Sequence, residues 1–257
     1  MINFLKNIIR YKLPNLVFLY KRRKYSNFYF FDFLGDIITL SKDSNFSNRL
    51  SSVPVIFDVG ACTGFSALNI LNRIKNVKLH CFEPTQESVV ALKKNLSKYK
   101  DVTINALALG KESKTCNFYT YGGQENLNRM YKNTSIHGGS KSDDNPTIEN
   151  IEIVTLDKYC LKKKIDIIDI LRIDVNGYDL EVLKGAKNML EQKKIKYINL
   201  SFYTVHKDDN DMGSLSEINQ ELLGYGYRLG LFYNGFLHPK KKVGYYTATY
   251  LCNDIRG

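Results

Sequence analysis

Short apolar runs alternate with helical patterns along most of the chain from Val53 onward. Residues 55–57 form one such run, and after a glycine-containing turn Ala67, Ile70 and Ile74 recur at spacings of three and four. A short continuous apolar run is typical of a buried strand, whereas apolar residues spaced three and four apart lie on one face of a helix. The alternation therefore predicts repeated β-α units and a parallel sheet.

The same pattern predicts five strands followed by an antiparallel pair. The five strands are expected at residues 55–57, 77–82, 102–109, 167–175 and 195–202, and the pair at 227–233 and 243–252. Asn234-Gly235, between the last two runs, is typical of a tight hairpin turn. Ser214 and Glu217 have the spacing of a capping box, and Gly224 is expected to end the helix that they begin. We therefore expect a doubly wound α/β fold with a mainly parallel seven-stranded sheet and an antiparallel C-terminal hairpin.

Residues 111–152 interrupt this rhythm. They are polar and rich in Asn, Gly and Ser, and they include Tyr119, Tyr121 and His137. Long irregular insertions in compact domains are usually functional or disordered. We expect an irregular insertion that closes over a substrate, within an α/β domain that spans residues 51–257 and follows a helical, basic segment at residues 1–50.

The composition fits a folded protein with a basic surface. The 257 residues are 44% hydrophobic and 25% charged, which excludes wholesale disorder. The 37 Lys and Arg residues against 26 Asp and Glu residues give a net charge of +11. Such a balance suits an anionic partner, or reflects only a solvated lysine-rich surface.

The N-terminal segment combines apolar and basic residues. A short apolar stretch at residues 16–20 precedes Lys21-Arg22-Arg23-Lys24, and it is too short to span a bilayer. The segment is expected either to pack on the domain with a basic outer face or to contact a membrane surface peripherally. The five cysteines include no C-x-x-C pair. They favour reduced thiols and a cytoplasmic location, which includes the cytoplasmic face of a membrane.

Polar side chains and glycines follow three of the predicted strands. Asp58, Gly60 and Gly64 lie in the turn after the first strand, Glu83 ends the second, and Asp174 ends the fourth. Ligands bind at this carboxyl edge in open α/β sheets. A carboxylate after the second strand can accept hydrogen bonds from both ribose hydroxyls of an adenosine cofactor. The glycine turn and Glu83 together therefore predict a cofactor that contains a nucleoside.

Asp58 and the glycine spacing favour a cofactor without phosphate. A dinucleotide would place its pyrophosphate at this turn, where a carboxylate repels it. The spacing is G-x-x-x-G rather than G-x-G-x-x-G. S-adenosylmethionine carries an ammonium and a sulfonium instead, and a carboxylate attracts both, directly or through water. Asp174 is expected either to face the reacting end of this cofactor or to cap the following helix.

Six sequence blocks between about residues 53 and 200 carry a family resemblance. They are Phe57-Asp58-Val59-Gly60-Ala61, Phe82-Glu83-Pro84, Ala106-Leu107-Ala108-Leu109-Gly110, Thr155-Leu156-Asp157, Ile173-Asp174-Val175-x-Gly177 and Leu180-Glu181-Val182-Leu183-Lys184-Gly185-Ala186. In this order they resemble the FkbM-type methyltransferases, a family of class I S-adenosylmethionine enzymes with a Rossmann-like fold. The ordered combination of blocks is far more specific than any single one.

The resemblance implies roles for the residues at the strand ends. The implied cofactor-binding residues are Asp58, Gly60, Ala61, Gly64, Glu83 and Pro84, with Asn105 and Ala106 near the adenine and Asp174 near the methionine part. Members of the family commonly methylate hydroxyl groups of sugars, glycolipids or polyketides. The resemblance therefore implies methyl transfer to a hydroxyl. We expect the acceptor to be a nucleotide-linked sugar or another precursor of a surface polysaccharide.

Two positions depart from the family pattern. The family usually has D-V-E-G where this chain has Asp174-Val175-Asn176-Gly177, and it usually has a Glu near the end of the fifth strand, where this chain reads Ile198-Asn199-Leu200-Ser201-Phe202. The missing carboxylates put metal binding, base catalysis or substrate orientation by those two positions in doubt. They leave the cofactor site in place, and no cluster of metal ligands is expected.

Methyl transfer to a hydroxyl requires a proton acceptor near the strand ends. The candidates are His206, which follows the fifth strand, and Asp174, whereas His80 is expected in the core. The candidate residues for contact with the methyl-accepting substrate are Tyr119, Tyr121, His137 and Tyr203. The tyrosines are included because their rings can stack on sugar rings.

Other classes of function stay open. A glycosyltransferase that uses a nucleotide sugar could hold a metal with Asp208-Asp209-Asn210-Asp211, although these residues are typical of a solvated turn. An RNA methyltransferase or RNA-binding protein would fit the net charge of +11, but no RNA-recognition motif is present and no nucleic-acid partner is expected. A cofactor-binding partner protein without activity is a further alternative, because of the two missing carboxylates.

Overall fold

The computed structural model of the protein describes residues 32–42, 49–120, 147–202, 214–237 and 244–252. The strands in this part of the chain are β1 (Val55–Val59), β2 (Lys78–Phe82), β3 (Val102–Asn105), β4 (Ala108–Leu109), β5 (Lys114–Thr120), β6 (Thr147–Val154), β7 (Ile168–Ile173), β8 (Ile195–Phe202), β9 (Tyr227–Leu237) and β10 (Gly244–Cys252). The helices are α1 (Asp32–Leu40), α2 (Phe65–Arg73), α3 (Gln86–Leu96), α4 (Leu156–Lys163), α5 (Asp179–Lys184), α6 (Lys187–Glu191) and α7 (Leu215–Gly224).

The predicted seven-stranded, mainly parallel sheet is confirmed. Its strand order is β3-β2-β1-β7-β8-β10-β9. The first five strands in this order are parallel to one another, and β10 pairs antiparallel with both β8 and β9. The order reverses between β1 and β7, so a crevice opens there at the carboxyl ends of the strands.

Apolar clusters cover both faces of this sheet, as a doubly wound fold requires. Phe57 of β1 packs in a cluster with residues of α4, α5, α6 and α7. The next residue towards the amino end, Ile56, packs in a second cluster with residues of α1, α2 and α3. Because successive side chains of a strand point to opposite faces, continuous apolar runs of this kind bury both faces of the sheet.

The predicted third strand and the predicted irregular insertion are both wrong in part. Residues 102–109 divide into β3 in the main sheet and β4 in a separate three-stranded sheet of order β4-β6-β5. Residues 111–152 are not irregular throughout, because β5 and β6 form an antiparallel pair at the two ends of the segment. These strands are largely exposed, so their polar composition hid the strand pattern.

The predicted turn at Asn234-Gly235 is also wrong, because both residues lie inside β9. Asn234 pairs with Tyr246, Phe236 pairs with Tyr245, and the register shifts between these pairs. Gly235 is therefore the extra residue of a β-bulge. A glycine suits a bulge for the same reason that it suits a turn, since it adopts backbone conformations that other residues avoid.

Helix α1 packs directly on the α/β domain. Phe33, Leu34 and Ile37 are at most 2% exposed and join the cluster that contains Ile56. The hydroxyl of Tyr233 on β9 donates a hydrogen bond to the carboxylate of Asp36. The domain boundary near residue 50 stays a prediction, but part of the N-terminal segment contributes to the core. Among the described residues, no helix is both long enough and apolar enough to cross a membrane.

Candidate active site

A crevice lies at the carboxyl ends of β1, β2 and β7, where the sheet order reverses. The empty space inside it, including its open mouth, is about 640 Å³. Its lining includes Gly60, Glu83, Pro84, Asp174, Asn176 and Phe118. The crevice therefore joins the strand ends of the main sheet to β5 of the second sheet.

The turn after β1 is held close to both neighbouring strands. The backbone N–H groups of Gly60 and Ala61 each donate a hydrogen bond of 3.0 Å to the carbonyl of Phe82. Gly60 has φ +80°, and a Cβ at this position would lie 2.1 Å from the backbone oxygen of Asp174. Only glycine fits these two conditions, because other residues rarely adopt positive φ and no side-chain atom fits the gap. The turn thus brings Gly60 and Cys62 to the lining of the crevice.

Glu83 forms the wall of the crevice after β2. Its Oε2 accepts a hydrogen bond of 2.9 Å from the backbone N–H of Cys62, and its Oε1 accepts bonds from the N–H and the hydroxyl of Thr85 at 3.1 and 2.7 Å. The side chain is buried but lines the crevice. These contacts fix the carboxylate, which can accept hydrogen bonds from the hydroxyls of a ribose.

Asp58 lies beneath the crevice and is not one of its lining residues. Its carboxylate is fully buried, accepts a hydrogen bond of 2.5 Å from the hydroxyl of Ser66, and forms an ion pair of 2.7 Å with Nη1 of Arg172. We expected Asp58 to attract the charged end of the cofactor directly or through water. Its carboxylate is instead buried and paired with Arg172, away from the residues that line the crevice.

Asp174 is the carboxylate that reaches the crevice from β7. Its Oδ2 lies 2.7 Å from Nη2 of Arg172, and its Oδ1 accepts a hydrogen bond of 2.7 Å from the hydroxyl of Ser201 on β8. Ser201 comes from the stretch of β8 where relatives usually carry a glutamate. Both oxygens of Asp174 are engaged, so this geometry favours an orienting role over proton acceptance.

Asp179 is a second carboxyl beneath the same strand end. It is 2% exposed, its Oδ2 accepts a hydrogen bond of 3.2 Å from the N–H of Gly177, and its Oδ1 has no hydrogen-bond partner among the described residues. Burial, followed by the nearby negative charge of Asp174, raises the pKa of Asp179 to about 8. The side chain of Asp179 is therefore mainly protonated at neutral pH.

A chain of hydrogen bonds leads from the core to Asn105 at the end of β3. Tyr159 donates a hydrogen bond of 3.0 Å to Oδ1 of Asn105, whose Nδ2 donates to the carbonyl of Cys81. His80 Nδ1 lies 2.8 Å from the Tyr159 hydroxyl. Burial, together with the charges of Lys163 and Lys78, lowers the pKa of His80 to about 4. His80 is therefore neutral, and because the tyrosine proton goes to Asn105, Nδ1 of His80 is the donor in this pair.

The remaining predicted residues fall in different places. Gly64 begins α2 with φ +94°, Pro84 lines the crevice, and Ala61 is buried in the turn. Ala106 is exposed just after β3 and is not among the lining residues, and neither is Tyr119 on β5. The predicted contacts Tyr121, His137, Tyr203 and His206, and the acidic run 208–211, lie outside the described residues.

Sequence reasoning missed several residues that build the site. Arg172 was not assigned a role, although an arginine inside an otherwise apolar strand requires buried anionic partners. Phe118 lines the crevice in place of its neighbour Tyr119, because adjacent strand residues point to opposite faces. Tyr178, which is buried beside the crevice, was also missed.

The described residues fit S-adenosylmethionine by their donors and acceptors. Glu83 presents an acceptor-only carboxylate for a ribose, and the turn at Gly60 allows close approach to the backbone. Asp174 presents a carboxylate near the position expected for the positively charged methionine part. The fit combines a site for a nucleoside with a site for a cation within one crevice.

Comparison with known proteins identifies the same class of enzyme. The family model described as the methyltransferase FkbM domain matches residues 58–229. The 2-O-methyltransferase NoeI of Sinorhizobium fredii (strain NBRC 101917 / NGR234) is 23% identical over 158 residues, which are 58% of this chain and 63% of that protein. The chain thus matches less than two thirds of the length of this relative.

Solved structures of methyltransferases are similar in fold to this chain. An rRNA methylase from Streptococcus thermophilus gives a TM-score of 0.48 at 10% identity, over 86% of this chain and 92% of the other. Aeropyrum pernix fibrillarin, solved with natively bound S-adenosyl-L-methionine, gives 0.46 at 9% identity, over 84% and 73% of the two chains.

Proposed function

The chain belongs to the FkbM methyltransferase family, and from this premise we propose that it methylates a hydroxyl group of a sugar. Methyltransferase activity and the cofactor S-adenosylmethionine follow from the family. The sugar acceptor and the attachment of the methyl group to oxygen are the proposal. We propose further that the sugar is nucleotide-linked or part of a surface-polysaccharide precursor.

We propose that the two ends of the crevice bind different parts of the cofactor. S-adenosylmethionine supplies an activated methyl group bonded to a positively charged sulfur. In this proposal Glu83 accepts hydrogen bonds from the ribose and Asp174 orients the positively charged part, which is supported by the position of both carboxylates in the crevice lining. The protein then has to position the acceptor, exclude water and take up the hydroxyl proton.

The observation that carries the sugar proposal is the presence of two aromatic residues in the crevice lining that also contains Asp174. Phe118 of β5 and Tyr178 after β7 both line the crevice, on the side where the second sheet approaches the main one. Aromatic faces pack well against the apolar faces of sugar rings. The name of the relative NoeI, a 2-O-methyltransferase, supports transfer to oxygen.

We propose His206 as the acceptor of the hydroxyl proton. Asp174, the rival candidate, already accepts hydrogen bonds from Arg172 and Ser201 at 2.7 Å each. Proton uptake by Asp174 would weaken both contacts, whereas a histidine titrates near neutral pH. The variant H206A is expected to lose at least about 100-fold in kcat and to bind S-adenosylhomocysteine with unchanged affinity in calorimetry. Full turnover by H206A would remove this assignment.

A methyl-transfer screen with methyl-labelled S-adenosylmethionine tests the acceptor. Nucleotide-linked sugars, free oligosaccharides and RNA are offered separately, and the labelled product is located by chromatography and mass spectrometry. We expect label on a sugar hydroxyl and none on RNA. Label on RNA, metal-dependent transfer of a sugar from a nucleoside diphosphate, or cofactor binding without transfer to any acceptor would each contradict the proposal and favour a different function.

A further inference from the structure

Arg172 bridges two carboxylates that belong to neighbouring strands. Nη1 lies 2.7 Å from Oδ1 of Asp58 at the end of β1, and Nη2 lies 2.7 Å from Oδ2 of Asp174 after β7. Asp58 and Arg172 are also directly paired in the sheet register. The side chain of Arg172 is 9% exposed, and those of Asp58 and Asp174 are 0% and 22% exposed. The guanidinium therefore lies beneath the crevice and contacts Asp174, which is one of the lining residues.

The two ends of this bridge are themselves fixed. Ser66 of α2 donates to the second oxygen of Asp58 at 2.5 Å, and Ser201 of β8 donates to the second oxygen of Asp174 at 2.7 Å. The contacts from Ser66 to Ser201 thus connect α2, β1, β7 and β8 in that order. Buried charges are retained in proteins when each has a partner and its remaining hydrogen-bonding positions are satisfied.

We propose that Arg172 is a positioning residue that sets the Asp174 carboxylate for the amino-acid part of S-adenosylmethionine. Its planar guanidinium reaches both carboxylates at once through separate nitrogens, which the single ammonium of a lysine cannot reproduce. The proposal concerns cofactor binding and is independent of the acceptor. A failed search for a sugar acceptor leaves it intact, and its own failure leaves the sugar proposal intact.

The adenosine end of the crevice is held by different contacts. Glu83 is fixed by Cys62 and Thr85, whereas Arg172 is bonded to Asp58 and Asp174. A disturbance at Arg172 should therefore weaken recognition of the amino-acid part and spare recognition of adenosine. If Arg172 served only the stability of the strand ends, its replacement would weaken recognition of both the amino-acid part and adenosine, because the whole crevice would be affected.

Calorimetric binding of two ligands separates these possibilities. S-adenosylhomocysteine contains the amino-acid part, whereas 5′-methylthioadenosine contains the same adenosine and thioether without it. For R172K we expect the affinity for S-adenosylhomocysteine to fall roughly 10- to 100-fold, the range for a lost hydrogen bond to a charged group. The affinity for 5′-methylthioadenosine should stay within about twofold, because Glu83 is unchanged.

The variant S201A supplies a second measurement that does not depend on the folding of R172K. It removes the other contact to Asp174 and retains all charges, so we expect the same selective loss at a smaller size, roughly 3- to 10-fold. The matched control is K196M. Lys196 on β8 pairs with Asp169 of β7 at 2.8 Å, at the end of these strands away from the crevice. K196M is expected to be less stable and to bind both ligands as the wild type does.

The proposal is overturned if R172K or S201A loses affinity for both ligands to the same extent, or for neither. It is equally overturned if K196M shows the selective loss. If R172K does not fold, as judged by its circular dichroism spectrum, the S201A result alone decides. Wild-type protein that binds neither ligand would contradict the cofactor assignment instead, so the two failures are distinguishable.

Discussion

Tyr159 donates a hydrogen bond to Oδ1 of Asn105 across 3.0 Å and thereby links α4 to the end of β3 beside the crevice. The backbone oxygen of the same Asn105 accepts a hydrogen bond of 3.1 Å from the N–H of Glu83. Tyr159 is buried, and burial raises the pKa of its hydroxyl to about 12, so the group remains a donor throughout the neutral range. The contact therefore connects the core to Glu83, which lines the crevice.

The variant Y159F tests this connection. It leaves Oδ1 of Asn105 and Nδ1 of His80 without the hydroxyl, so we expect the free energy of unfolding to fall by about 1–3 kcal/mol. The affinity for S-adenosylhomocysteine should fall by about 3- to 10-fold, because Asn105 supports Glu83. Urea unfolding and calorimetry measure the two effects.

The control for Y159F is Y250F. The hydroxyl of Tyr250 donates to Oδ1 of Asn219 at 3.3 Å, and neither residue lines the crevice. This variant should lose stability and keep its cofactor affinity. Equal cofactor affinities in Y159F and the wild type would show that Tyr159 contributes to stability and not to cofactor binding.

Asp179 predicts an unusual dependence of stability on pH. Its pKa is raised from 3.8 to about 8, so between these values the folded protein keeps a proton that the unfolded chain has released. The free energy of unfolding contributed by this group therefore falls as the pH rises from about 4 to about 8. D179N is neutral at every pH and should gain on the wild type by about 3 kcal/mol between pH 5.5 and pH 8.5, at about 1.4 kcal/mol for each pH unit over which the proton is retained.

Urea unfolding at pH 5.5 and pH 8.5 measures this difference. The control is D166N, since the side chain of Asp166 is 76% exposed and pairs with Lys194 at the surface. D166N should differ from the wild type by a similar small amount at both pH values. A D179N variant that shows the same difference at both pH values would mean that Asp179 is ionised in the folded protein.

Two glycine variants contrast a required glycine with a dispensable one. G60A places a Cβ 2.1 Å from the backbone oxygen of Asp174 at a residue with φ +80°, so we expect a loss of at least about 2–3 kcal/mol. G224A meets nothing within 4 Å at the end of α7 and should be neutral or stabilising by up to about 1 kcal/mol. Thermal unfolding checks both, and a G60A protein as stable as the wild type would contradict the described turn.

The packing of α1 predicts that part of the N-terminal segment is essential for stability. Leu34 is fully buried against the sheet, so L34A should lower the free energy of unfolding by about 2–5 kcal/mol. L223A is the control, because Leu223 is 50% exposed and should change stability by less than about 0.5 kcal/mol. If L34A behaves like L223A, the domain starts near residue 50 as the sequence suggested.

The sequence by itself determined the features that depend on local chemistry. The alternation of apolar runs predicted the sheet, the Ser214 and Glu217 spacing predicted the capping box that begins α7, and Gly224 ends that helix. Gly60 and Glu83 were correctly located at strand ends that line the crevice. Strand periodicity, helix capping and positive φ are properties of short segments, so they can be recognised without knowing what packs against them.

The tertiary structure alone decided which charges meet. Asp58 and Arg172 are 114 positions apart, and only the pairing of β1 with β7 makes them neighbours. That pairing buries Asp58, so Asp174 rather than Asp58 lines the crevice beside Arg172. It was also tertiary pairing that placed Asn234-Gly235 inside β9 and Phe118 on the crevice wall. Burial and partnership depend on contacts between distant segments, and no local pattern encodes them.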